Sequence, residues 1–126
     1  MSPILVDTSV WVAHFRSRSD TLVALLAQDR VLVHPWIVAE IACGTPPDRT
    51  RTLADLQWLQ PAQQASLSEV LRMVEDHRLY GLGCGLVDMT LLASTRITPG
   101  ARLWTLDRRL MALAQRLGCA FDAPVH

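Results

Sequence analysis

The sequence predicts an α/β fold in which helices wrap a parallel sheet. Three observations lead there. Short apolar runs such as Pro3–Val6 and Arg30–His34 alternate with longer segments whose apolar residues recur at helical spacing. No internal repeat and no low-complexity linker divides the chain, so its 126 residues read as one domain spanning 1–126. Half of the residues are hydrophobic, enough for a sizeable core, yet no apolar run reaches the ~20 residues of a membrane span.

Pro3–Val6 stops on Asp7, the pattern of a buried strand that ends at a functional edge. Thr8–Phe15 carries Val10, Trp11 and Phe15 at helical spacing, and Asp20–Gln28 sets Leu22, Leu25 and Leu26 on one helix face. Arg30–His34 (RVLVH) is the next expected strand. Pro35 opens a helix that holds Glu40, and Gly44–Asp48 (GTPPD) breaks the chain. Arg49–Leu59 reads as a helix closed by Pro61. Ser66–Glu69 has the spacing of a capping box, and Leu67, Val70, Leu71 and Val74 continue an amphipathic helix to about His77. Tyr80–Gly85 (YGLGCG) is a glycine-rich turn, and Leu86–Ile97 is a strongly apolar helix with Asp88 in its first turn. After the Thr98-Pro99-Gly100 break, Arg102–Leu106 is a strand, Asp107–Leu117 a helix and Cys119–Phe121 a candidate edge strand.

The formal net charge is zero, which argues against a protein held to nucleic acid by bulk electrostatics. All twelve cations are arginine, so a phosphate-binding P-loop and any other device that needs lysine are excluded. The opening Met-Ser-Pro-Ile-Leu-Val-Asp is not the pattern of a secretory leader. Cys43, Cys84 and Cys119 form no Cys-x-x-Cys pair and are expected to be small buried hydrophobes in a reducing cytoplasm. The four tryptophans are expected mostly in the core or on a dimer surface.

Four acids stand in apolar surroundings: Asp7 in ILVDTSVW, Glu40 in IVAEIA, Asp88 in GLVDMTLL and Asp107 in LWTLDRRL. Ligands of parallel α/β sheets sit outside the carboxyl ends of the strands, so Asp7 and Asp107, each just past a strand, are expected at one edge. Structural alternatives exist: Asp7 and Asp107 as helix caps, Asp88 as complement to a helix N-terminus. Glu40 lies mid-helix with no basic neighbour in the sequence, and a buried carboxylate without a partner is protonated or strongly destabilising. Were all four to converge, each pair about 5 Å apart would repel by roughly 3 kcal/mol at an effective dielectric of about 20. That demands a cation. No histidine or cysteine set accompanies the acids, so an all-oxygen site for Mg²⁺ or Mn²⁺ is expected, which suits phosphodiester hydrolysis by metal-activated water. Ser9 and Thr105, two residues from Asp7 and Asp107, either orient those carboxylates or the attacking water, or serve as helix cap and strand filler.

LVDTSVWV, HPWIVAEIACG, HRLYGLGCGLVDMTLLAS and LWTLDRRLMALA, in this order along the chain, resemble a PIN domain and more closely the VapC toxins of type II toxin–antitoxin systems. The resemblance implies a three-layer α/β/α sandwich with a parallel sheet of about four to five strands. It implies a metal-dependent endoribonuclease in which Asp7 and Asp88 are the central ligands of Mg²⁺ or Mn²⁺, with Glu40 and Asp107 completing the site. It also implies a cytoplasmic, homodimeric toxin silenced by a cognate VapB-type antitoxin, whose C-terminal segment crosses the active-site groove. His34, His77, Arg78 and Tyr80 match the closer family as well. Arg78 and Tyr80 are candidates to grip a phosphate or stack a base, or are simply structural at a helix end; His34 ends a strand or acts as a base. Arg102, Arg108, Arg109 and Arg116 supply RNA-binding charge, or form a solvated helix face. The chain departs from close relatives at Leu82, where an arginine is expected within the Tyr-Gly-x-Gly turn. Arg108 and Arg109 follow Asp107, so no further acid is assigned there, and Asp122 is a weak candidate.

A haloacid-dehalogenase-type phosphatase is rejected, because it needs a second Asp where Ser9 stands and a lysine that the chain lacks. A catalytically silent PIN-like binding module and a PIN nuclease for RNA processing stay open beside the toxin.

Overall fold

The computed structural model describes residues 1–124. Its first strand, β1 (Ile4–Val6), has a strand on either side, and its three side chains are wholly buried. A central parallel strand is covered on both faces, which is why the segment reads as a continuous apolar run. From β1 the chain passes through α1 (Thr8–Arg16) and α2 (Asp20–Ala27) to β2 (Val31–Val33), then through α3 (Pro35–Ala42) and α4 (Arg49–Trp58) to β3 (Gln60–Pro61). It returns by α5 (Leu67–Asp76) and α6 (Leu86–Ile97) to β4 (Arg102–Trp104), followed by α7 (Arg108–Arg116).

All strand pairs are parallel, in the order β3-β2-β1-β4, with Leu5 opposite both Leu32 and Leu103. A parallel bridge from Leu103 to Ala120 adds a rudimentary fifth strand. It is held by the Leu103 N–H on the Cys119 carbonyl at 2.7 Å and the Phe121 N–H on the Leu103 carbonyl at 2.8 Å. This is the expected three-layer α/β/α sandwich with four to five strands. The chain leaves β1 toward β2 and β3 and re-enters on its other side as β4. The carboxyl ends of β1 and β4 therefore flank a topological switch point, where open α/β sheets bind ligands.

α6 buries seven consecutive residues, Met89–Thr95, because it is enclosed by β4, α5 and α7. Its buried hydroxyls stay satisfied: Thr90 and Thr95 donate to the carbonyls of Leu86 and Leu91, both at 2.8 Å. The Ser66 capping box forms as read, with Glu69 N–H on Ser66 Oγ at 3.1 Å and Ser66 N–H on Glu69 Oε1 at 2.9 Å.

Some expectations fail locally. β3 is a strand that no apolar pattern announces: two exposed residues, one a proline, at the sheet edge where proline is tolerated. The strand expected over Arg102–Leu106 ends at Trp104, because the following residues turn away to cap α7. Only Cys119 is a buried thiol; Cys43, the C-cap of α3, is exposed and Cys84 half-buried. Trp11 and Trp104 join the core, while Trp36 and Trp58 face solvent. Among the described residues no helix is long and apolar enough to cross a membrane.

Candidate active site

Asp7 follows β1 directly and is buried, with its N–H still completing the ladder to the Trp104 carbonyl at 2.9 Å. Because Val6 pairs with Trp104, the next residue on each strand, Asp7 and Thr105, stand side by side. Thr105 Oγ1 and Ser9 Oγ each donate to Asp7 Oδ2 at 2.7 Å, and the two hydroxyls lie 3.3 Å apart. Backbone donors fix both in turn: Leu106 N–H on Ser9 Oγ and Asp107 N–H on Thr105 Oγ1, each at 3.0 Å. Thr105 thus orients Asp7 rather than its sequence neighbour Asp107. Asp107 spends Oδ1 on the N-terminus of α7, accepting from Arg109 N–H at 2.9 Å and Leu110 N–H at 3.1 Å.

Glu40 corrects an expectation. It is exposed, not buried, because the apolar neighbours Ile37 and Ile41 turn into the core while Glu40 occupies another face of α3. Its Oε1 accepts from Thr8 Oγ1 at 2.8 Å, which ties the middle of the α3 segment to the residue next to Asp7. Asp88 lies in the first turn of α6, three residues after the N-cap Gly85. Burial pushes its carboxyl above the ordinary range, and the negative charges of Asp7, Asp107 and Glu40 push it further, against a small opposing pull from the Gly85 backbone. Burial also raises the Cys84 thiol; Asp88 and Asp107 add to that rise and Arg109 opposes it. The charges of Asp7, Asp107 and Glu40, from three other elements, thus bear on Asp88. Among the described residues, no group of three or more His, Cys, Asp or Glu side chains is arranged to hold a metal ion as it stands. Asp7, Glu40 and Asp107 each accept from a neighbouring hydroxyl or amide.

The remaining candidates divide. His34 is structural: buried, it caps α3 by accepting the Trp36 N–H on Nδ1 at 3.1 Å and meets Ser94 Oγ with Nε2 at 3.3 Å. Arg102 donates to the Ala120 carbonyl at 3.1 Å and Arg116 to the His77 carbonyl at 2.5 Å, and both side chains are exposed. Arg78, in a left-handed conformation after α5, is exposed, as are Tyr80, Arg108, Arg109 and Asp122. Sequence reading passed over Thr8, Gly83 and Cys84. Thr8 adjoins Asp7 and has the hydroxyl of a carboxylate partner; Gly83 and Cys84 stand in the Tyr80–Gly85 turn, which the sequence marks without assigning either a role.

The PIN domain model matches residues 4–116, a span that contains all four acids and excludes Asp122. The chain belongs to the PIN domain family. Ribonuclease VapC32 of Mycobacterium tuberculosis, from two strains, is 44% identical to this PIN domain over 122 residues, covering 97% of this chain and 98% of the relative. That similarity agrees with the VapC-type resemblance in the sequence. The crystal structure of PAE2754 from Pyrobaculum aerophilum shares the PIN domain's fold at a TM-score of 0.58 and 20% identity, covering 93% of this chain and 90% of that one.

Proposed function

We propose that this PIN domain is a metal-dependent endoribonuclease, the toxin of a VapBC-type pair, that hydrolyses RNA phosphodiester bonds. The observation that carries the reading is the gathering of acids at the carboxyl edge of the sheet: Thr105 and Ser9 aim the buried Asp7 carboxylate, Thr8 ties Glu40 beside it, and the Asp88 carboxyl is raised by burial first and then by the charges of Asp7, Asp107 and Glu40. A divalent cation would relieve that repulsion, and carboxylate oxygens suit Mg²⁺ or Mn²⁺ better than a soft ion. Asp7 and Asp88 would be its central holders, with Glu40 and Asp107 completing the set. When bound, such an ion lowers the pKa of its water and neutralises charge building on the phosphate. Ser9 and Thr105 keep the Asp7 carboxylate aimed, since both hydroxyl protons go to Oδ2. Arg78, Arg108 and Arg109 gather the strand's phosphates, and the exposed Tyr80 offers a face for a base. On the same reading the chain acts as a cytoplasmic homodimer and is silenced by a cognate VapB-type antitoxin.

Purified protein incubated with single-stranded RNA should cleave it with Mn²⁺ or Mg²⁺, lose that activity in EDTA, and lose it in Asp7→Ala. The alternative is a catalytically silent PIN-like binding module. Intact RNA with added Mn²⁺ would decide for that alternative. Growth arrest on expression, relieved by co-expressing an adjacent antitoxin gene, separates the toxin from an RNA-processing nuclease.

A further inference from the structure

We propose that Arg109 grips a phosphate of the RNA at this site, and that Gly83 is the positioning residue that holds Arg109 in place. This rests on the nuclease reading above. Arg109 is the second residue of α7, and its own N–H donates to Asp107 Oδ1 at 2.9 Å. Its backbone is therefore fixed to one acid of the site. Its side chain crosses to the Tyr80–Gly85 turn, which leads into the helix of Asp88. A Cβ placed on Gly83 would stand 2.7 Å from Arg109 Nη1, 2.8 Å from Cδ and 3.1 Å from Cζ. The end of the Arg109 side chain thus occupies space that a Cβ at position 83 would claim.

Arg109 stands among acids yet pairs with none of them. The ion pairs among the described residues are Arg18–Asp20 and Arg51–Asp55. Arg96 meets His77 Nε2 at 3.1 Å, and Arg102 and Arg116 each place one N–H on a backbone carbonyl. Arg109 also lies near Cys84, the residue after Gly83: its positive charge opposes the rise that burial, Asp88 and Asp107 give that thiol. A planar fork of donors, seated and unpaired, fits the two free oxygens of a phosphodiester, and the seat removes rotamer freedom before the RNA arrives.

The test is equilibrium binding of a labelled single-stranded RNA to the full chain in the non-cleaving Asp7→Asn background, across a range of salt. Cleavage by the wild type is measured in parallel, so that failure of the nuclease reading is seen separately. Adding Arg109→Ala should flatten the slope of log K against log salt by about 0.7, the share of one phosphate on a single strand. Gly83→Ala should flatten it equally, because the new methyl evicts the guanidinium, and should do nothing further once Arg109 is alanine. Gly83 has φ +89°, so backbone strain alone would weaken binding in both backgrounds alike; that result overturns the proposal. An unchanged slope in Arg109→Ala overturns it too, as does a background protein that binds no RNA.

Discussion

Replacing Thr105 by valine keeps the shape of a buried side chain and deletes one hydroxyl. The hydroxyl does two things: it donates to the buried Asp7 Oδ2 at 2.7 Å and accepts the Asp107 N–H at 3.0 Å. A hydrogen bond to a charged group contributes about 1.5–3 kcal/mol, and an amide left facing a methyl costs about 1 kcal/mol more. Thr105→Val should therefore destabilise the protein by about 2.5–4 kcal/mol, a large fraction of the ~5–15 kcal/mol that holds a domain together. For a chain of 126 residues, that lowers Tm by about 9–15 °C. Urea unfolding measures it, with the m-value unchanged. Thr105→Ser keeps the hydroxyl and removes only a methyl, so it should cost about 1 kcal/mol. If valine costs no more than serine, Asp7 is held by Ser9 alone, Thr105 is strand filler after all, and the reasoning fails.

Asp88→Asn should raise the stability of the metal-free protein at neutral pH while abolishing cleavage. The folded-state carboxyl is raised, so the unfolded chain ionises first as pH increases; wild type loses stability across that window, and the variant's advantage should vanish below about pH 4. An Asn variant less stable at pH 7 would contradict the repulsion. Glu40→Gln, being exposed, should change stability by no more than about 0.5 kcal/mol yet slow Mn²⁺-supported cleavage at least about tenfold; equal rates would remove Glu40 from the site. His34 is kept neutral by burial. As pH falls through the ordinary imidazole value of about 6.5, the unfolded chain takes up the proton first, so wild type should lose stability. His34→Asn retains a capping oxygen without titrating and should lose less over that range; matching pH profiles would show that another group is responsible.

What could be read from the sequence was whatever leaves a local mark. The continuous apolar run Ile4–Val6, the Pro35 start of α3 and the Ser66–Glu69 box are each set by neighbours a few residues away, and each appears as read. The family segments reached further, since their order identified the fold and singled out four acids. Even so, apolar neighbours in the sequence misled at Glu40, because a helix turns adjacent side chains to different faces. β3 was invisible for a related reason. Two exposed residues become a strand only because Val33 offers them its backbone: the Ala62 N–H bonds the Val33 carbonyl at 2.8 Å.

The sequence by itself determined the alternation of strands with helices and most helix starts, because apolar spacing and capping are written in short-range periodicity. Only the tertiary structure decided what each acid faces. The parallel register that puts Val6 beside Trp104 also puts Thr105 against Asp7 across 98 residues of chain. The return of α7 to the glycine turn sets Arg109 on Gly83. Such pairings depend on how strands cross and helices pack, and no local spacing in the chain encodes them.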